Sequence, residues 1–256
     1  MMTTTESIPA RAAYHIVGHR GAKDLSPENT IESFRLAEEI GVHELEFDVR
    51  LSADGVPIVL HDATLDRTAV DASGRGLGPV AELPYERVRT VDVGEGRHVP
   101  TLIEVLDATT VFLQVEIKAV EACDAIAAVI ADRPHDATRI RVTSFRPEAL
   151  HRMLTLAPHI SRGLITRGYP EAERHPDGIE QVLAEVEADA FYCGWDGLTD
   201  DLVTRFQDAG YEMGGWPVRT FEELRRGLVL GFGGGTVDDP RAAMDWLSRA
   251  RAEPAL

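Results

Sequence analysis

Cysteine is nearly absent from this chain of 256 residues: Cys123 and Cys193 are the only two. That excludes a disulfide-stapled scaffold and a cysteine-ligated zinc site, and it suits a reducing cytoplasm. Long apolar runs are missing as well. The longest, Ala125 to Ala131, is far shorter than the ~20 residues that cross a bilayer. The opening MMTTTESIPARAAY has no apolar stretch of a secretory leader, and neither end carries a lipidation motif. The expectation is a cytoplasmic protein without membrane insertion. Positive charge is scarce: 26 Lys and Arg face 43 Asp and Glu, a formal charge of −17. Such a balance argues against nucleic acid as a partner. Any anionic substrate would need a local reversal of sign. Lysine is the scarcest base, with Lys23 and Lys118 alone among the 26.

What is present is ordinary globular material. Hydrophobic residues make up 44% and charged residues 27%, which excludes intrinsic disorder and a collagen-like chain. The length suits one domain over residues 1–256, large enough to bury a core without staples.

No internal repeat or low-complexity segment occurs, but two patterns alternate throughout. Short strand-like stretches lie at 15–18, 44–49, 110–117, 139–145, 160–165, 189–195, 211–218 and 233–239. Helical patterns lie between them. In NTIESFRLAEEIG, for example, Ile31, Phe34, Ala37 and Ile40 share a face and Gly41 suits the position after the last turn. Alternation implies parallel strands. About eight such units suggest a (β/α)8 barrel of the TIM type rather than an open doubly wound sheet. One connection is long. After the second strand comes another strand-like piece, PIVLHD at 57–62, and then residues 63–108 with turn-rich DASGRGLGP and GEGRHVP. This reads as a small insertion after the second strand, at the catalytic end of a barrel. The GRGLG and GFGGG stretches read as turns, because neither joins a strand to a helix as a dinucleotide loop would.

The residues able to do chemistry cluster at predicted strand ends. In Glu46-Phe47-Asp48 the two acids point to one face, since strand side chains alternate. Glu116-Ile117-Lys118 repeats the arrangement on the next regular strand. Three inward carboxylates from neighbouring strands could form an oxygen-rich site for Mg²⁺ or Ca²⁺. Structural ion pairs with arginine are the plain alternative. His19-Arg20-Gly21 ends the first strand. His19 can take or give a proton near neutral pH, Arg20 offers a fork matched to phosphate oxygens, and Gly21 permits a tight exit. His61 supplies a second imidazole, while Asp62 either orients a neighbour or begins a turn. Lys118 offers a compact charge beside the acids, whereas Lys23 reads as plain surface. Ser144 and Phe145 end the fourth strand, and Trp216, near the end of the seventh, could line a pocket.

As an ordered set these motifs resemble the glycerophosphodiester phosphodiesterase family. HRG at 19–21, PENT at 27–30, E-x-D-V at 46–49, Asp54-Gly55, His61-Asp62 and Leu65 to Thr68 follow one another, and PTLIEVL at 100–106, EIK at 116–118 and TSF at 143–145 continue the match. The resemblance implies the barrel with its insertion. It implies one divalent cation, Mg²⁺ or Ca²⁺, on Glu46, Asp48 and Glu116. It implies His19 and His61 as an acid/base pair, with Arg20 and Lys118 on the phosphate and Trp216 beside the substrate. The reaction implied is metal-dependent hydrolysis of a small-molecule phosphodiester to glycerol 3-phosphate and an alcohol. In the family the glycerol 2-hydroxyl attacks first and water then opens a cyclic phosphate. Two departures touch the head-group side: Trp216-Pro217-Val218-Arg219 stands where the family has W-T-V-N, and GGGTVDDP keeps only Asp238 and Pro240 of the closing motif. The rival readings are a sphingomyelinase-D-like lyase acting on intact lipid and a barrel that binds a phosphodiester without turning it over.

Overall fold

The computed structural model describes residues 14–169 and 178–252. Among these, nine strands form one sheet: β1 (His15–His19), β2 (Glu44–Leu51), β3 (Pro57–Val59), β4 (Phe112–Ile117), β5 (Ile140–Ser144), β6 (Ser161–Gly168), β7 (Ala190–Asp196), β8 (Glu212–Val218) and β9 (Gly234–Val237). Eight of them pair in parallel, and β1 bonds both β9 and β2, so the sheet closes into a ring. β3 lies outside the ring, antiparallel on β2. Helices intervene between the ring strands. The chain is therefore a TIM barrel, and each of the eight predicted strand patterns holds one of its strands.

Alternation on β2 explains how the barrel presents chemistry. Leu45, Phe47 and Val49 are fully buried on the side facing the helices, where the Phe47 ring meets Phe34 of helix Ile31–Ile40 at 5.5 Å between centroids. The intervening Glu44, Glu46 and Asp48 must then face the axis. Helix Ile31–Ile40 starts at Thr30, whose hydroxyl accepts from the Ser33 N–H, and ends at Gly41 in the left-handed region at φ 100°. An L side chain would be strained there.

β3 and the segment after it carry their own small apolar core, with Ile58, Leu60, Leu65, Val80, Val88 and Val91 buried together. The segment's final helix, Leu102–Ala108, packs between helices Ile31–Ile40 and Cys123–Asp132 as a member of the outer ring. GFGGG is only half a turn. Gly231 ends helix Phe221–Leu230 at φ 70°, but Gly234 and Gly235 belong to β9. A Cβ on Gly235 would stand 2.2 Å from the Tyr14 hydroxyl, so close packing, not a bend, requires that glycine. Among the described residues no helix is long and apolar enough to cross a membrane.

Candidate active site

The C-terminal ends of the ring strands surround a cleft of about 580 Å³. His19, Arg20, Glu46, Glu116, Lys118 and His61 line one side of it, and Phe145 and Trp216 line the other. His19, Arg20, Glu46, His61, Glu116, Lys118 and Trp216 thus come to one place, and buried Asp48 pairs with Arg20 and Lys118 there.

Asp48 and Glu116 are cross-strand neighbours on β2 and β4. With Glu46 they can each offer an oxygen within 4.8 Å of the other two. The three are 6%, 1% and 6% exposed in the order Glu46, Asp48, Glu116. Burial, reinforced by the charges of Asp48 and Glu116, holds the Glu46 carboxyl well above the usual carboxylate range. Burial and Asp48 push Glu116 up to about 7. Burial also pushes Asp48 up, but Lys118, Arg20 and an Asn29 hydrogen bond outweigh it and hold that group low. The Asn29 amide donates to Asp48 Oδ2 at 2.8 Å. Lys118 Nζ lies 2.6 Å from Glu116 Oε1 and 3.0 Å from Asp48 Oδ1.

This donor set fits a hard divalent cation. It consists of carboxylate oxygens with no thiol or imidazole among them. Burial and the Asp48 charge hold two of its members, Glu46 and Glu116, above the usual carboxylate range. The buried Asn29 Oδ1, beside Asp48, has no hydrogen-bond donor. A cation would relieve both conditions.

Each histidine is held by an aspartate through Nδ1, leaving Nε2 for other work. His19 Nδ1 lies 2.5 Å from Asp238 Oδ1, and its Nε2 stands 3.9 Å from Glu46 Oε2. His61 Nδ1 lies 2.7 Å from Asp62 Oδ1. Burial lowers the affinity of both rings for a proton, against the pull of their aspartates. Arg20 sits at φ 50°, unusual for a residue with a side chain. Its turn is pinned by its backbone N–H to Glu46 Oε2 at 3.2 Å and by the Ser33 hydroxyl donating to its carbonyl at 3.0 Å. Next to it, Gly21 at φ 85° packs so closely on Ser33 that a Cβ would clash with backbone. Trp216 donates its indole N–H to the Thr166 carbonyl at 3.1 Å and meets the Phe145 ring edge-on at 5.3 Å.

Several members of the site escaped sequence reasoning. Asp238 was visible only as a retained motif position, yet it reaches His19 from the far end of the chain. Lys23 is not plain surface: its Nζ pairs with Asp238 Oδ2 at 3.0 Å and the residue lines the cleft. Glu28 spans two arginines, accepting from Arg20 at 2.9 Å and from Arg67 at 2.7 Å and 2.8 Å. Arg67 in turn holds Asp62 at 2.5 Å. An acidic side chain in a loop gives no local signal of such a bridge. Asp62 pairs with the His61 ring, and Pro217 falls where the β8–β9 register shifts, a place that tolerates a missing N–H.

Comparison with known proteins adds a family match along most of the chain. A sequence model described as the "Glycerophosphoryl diester phosphodiesterase family" matches residues 19–242. A glycerophosphodiester phosphodiesterase of Caldanaerobacter subterraneus subsp. tengcongensis is 27% identical, over 90% of this chain and 96% of that one. Glycerophosphodiester phosphodiesterase 1 of Bos taurus is 26% identical, over 85% of this chain and 78% of its own length. Among solved structures, an Oleispira antarctica phosphodiesterase in complex with the product sn-glycerol-3-phosphate superposes with a TM-score of 0.82 at 24% identity, covering 91% of this chain and 96% of that one. At that identity the likeness speaks for the fold.

Proposed function

We propose, because the chain belongs to the glycerophosphoryl diester phosphodiesterase family, that it hydrolyses glycerophosphodiesters with His19 and His61 as acid and base at a divalent-cation site. Membership makes it a phosphoric diester hydrolase; the roles of individual residues are our reading. The observation that carries them is the convergence of three buried carboxylates within 4.8 Å, flanked by two Asp-oriented histidines at the same cleft.

Glu46, Asp48 and Glu116 would hold the cation, Mg²⁺ or Ca²⁺. When bound, it supplies positive charge to the phosphoryl oxygens, where negative charge builds in the transition state. Arg20 and Lys118 add fixed positive charge to the same place and orient the phosphate. One histidine, in its neutral form, takes the proton from the attacking hydroxyl. The other, protonated, gives its proton to the departing alkoxide. Asp238 and Asp62 fix the tautomer of each ring by accepting at Nδ1 and so direct Nε2 toward the reacting atoms. Whether the first nucleophile is the glycerol 2-hydroxyl or water, the net change is the same. One water is consumed, the phosphorus–oxygen bond to the alcohol breaks, and glycerol 3-phosphate and the alcohol leave.

A cytoplasmic location is part of the same proposal, in keeping with two cysteines that are buried and not disulfide-bonded. The test of function is glycerol 3-phosphate release from a panel of glycerophosphodiesters, first with EDTA and then with Mg²⁺ or Ca²⁺ restored. Release only with metal supports the reading. No release from any ester by the folded, metal-loaded protein overturns it.

A further inference from the structure

The side of the cleft facing the carboxylates has a charge of its own. Around the ring the strands follow one another as β1, β2, β4, β5, β6, β7, β8, β9. Glu46 and Asp48 stand on β2, and β7 is therefore diametrically opposite. On the arc centred there, three arginines ring the mouth: Arg146 just after β5, Arg167 on β6 and Arg219 just after β8. All three are exposed. Arg219 reaches Asp238 only at 3.8 Å with 64% of its side chain open to solvent, and Arg146 meets the equally open Glu148 at 3.2 Å. The cleft as a whole is lined by seven basic residues against three acids, on a protein whose formal charge is −17. The phosphate side accounts for part of that excess, because Arg20 and Lys118 are committed to the carboxylates there. The three arginines of the far arc stand outside those pairs.

The aromatic surface beside the arc points the same way. Phe145 and Trp216 could suit a quaternary ammonium group. The Arg167 guanidinium, however, already lies 5.6 Å from the Phe145 ring centre, and Lys118 Nζ lies 5.7 Å from it. A cationic head group placed there would face two like charges.

In a glycerophosphodiester the glycerol is uncharged, so any charge beyond the reacting phosphate sits on the alcohol. We propose that Arg146, Arg167 and Arg219 form a leaving-group subsite that selects diesters whose alcohol carries a second anionic group and discriminates against cationic head groups. This rests on the hydrolysis proposed above and adds the substrate class. Such rim charges act through long-range attraction that salt screens.

Three esters with one reacting phosphate separate the cases: bis(glycerophospho)glycerol, whose alcohol carries a second phosphodiester; glycerophosphoglycerol, whose alcohol is neutral; and glycerophosphocholine. With the full chain loaded with Mg²⁺ or Ca²⁺ at low salt, kcat/KM falls in that order, by about tenfold from first to last once corrected for the two equivalent bonds of the first. The span shrinks as salt rises toward ~0.5 M. In the Arg167→Gln, Arg219→Gln double variant the ratio of first to last approaches one, chiefly through KM. Turnover that favours the choline ester, or a ratio unmoved by salt and by the double variant, overturns the subsite and leaves the hydrolysis standing. No turnover of any of the three overturns both.

Discussion

The two ends of the barrel bury charge in opposite ways. At the closed end, where the strands begin, the buried charges of Arg141 and Glu44 are answered. Arg141 donates to Ser161 Oγ at 2.8 Å, to the Tyr192 hydroxyl at 2.5 Å and to both oxygens of Glu212 at 3.0 Å and 2.9 Å. Glu44 accepts from the Gln114 amide at 2.7 Å and pairs with His15 at 2.6 Å. At the open end Glu46 has like charges on two sides and holds its proton well above the usual range. A buried charge that is fully met stiffens a fold, whereas one left repelling its neighbours is poised to take a cation. The carboxylate cluster keeps a local repulsion that the closed end does not have.

Breaking each end should therefore give different signatures. The largest effect belongs to Glu46→Gln. We expect metal affinity to fall sharply and kcat/KM with it by about 10³-fold, read by calorimetry with Mg²⁺ and Ca²⁺ and by glycerol 3-phosphate release. The same change removes a repelling charge, so the metal-free variant should melt higher than the metal-free parent. Unchanged metal affinity would sink the ligand assignment. Next, Asp238→Asn should cost about 10²-fold, in kcat more than in KM, because His19 loses the acceptor that fixes its tautomer; an equal loss in KM alone would mean a binding role instead. At the closed end the order of readouts reverses. Arg141→Met strands Glu212 and the Tyr192 hydroxyl and should lower stability by about 2 kcal/mol, seen in urea titration, with activity per folded molecule retained. The smallest effect is that of His15→Gln. Its hydrogen bond to Glu44 raises His15 above its ordinary value. The stabilisation is therefore fully present below pH ~6.5 and lost as pH rises through the folded value. Glu44 is held low, because His15 and Gln114 together outweigh its burial, so its share is lost only in acid. The variant should be less stable by a few tenths of a kcal/mol near pH ~6 and by less near pH ~9, where only the neutral ring's hydrogen bond to Glu44 remains, since His15 is 42% exposed. A difference that fails to shrink as pH rises would contradict the pairing.

The ring and the carboxylate cluster were legible because both rest on short-range rules. A period of two placed Glu46 beside Asp48, and repetition of strand and helix patterns implied closure. Motif order tied His19, His61, Arg20 and Lys118 to one reaction. What stayed hidden depends on contacts between distant segments. Lys23 resembles any exposed lysine until β9 brings Asp238 to it. Glu28 cannot be distinguished from a solvated acid until Arg67, 39 residues on, folds back to it. The Arg219 departure drew attention as a single altered position, but its meaning depends on Arg146 and Arg167 standing on the same arc.

The pairing of His19 with Asp238 also bears on how the molecule is made. The two residues are 219 apart in sequence and sit on either side of the seam where β1 meets β9. A growing chain can assemble Glu46, Asp48 and Glu116 early, since β2 and β4 pair directly. It cannot orient His19 until the last strand arrives and the ring shuts, a contact of long loop closure and late reward. On the roles proposed above, recovery of turnover during refolding therefore waits on closure of the seam, whereas the meeting of the three carboxylates does not.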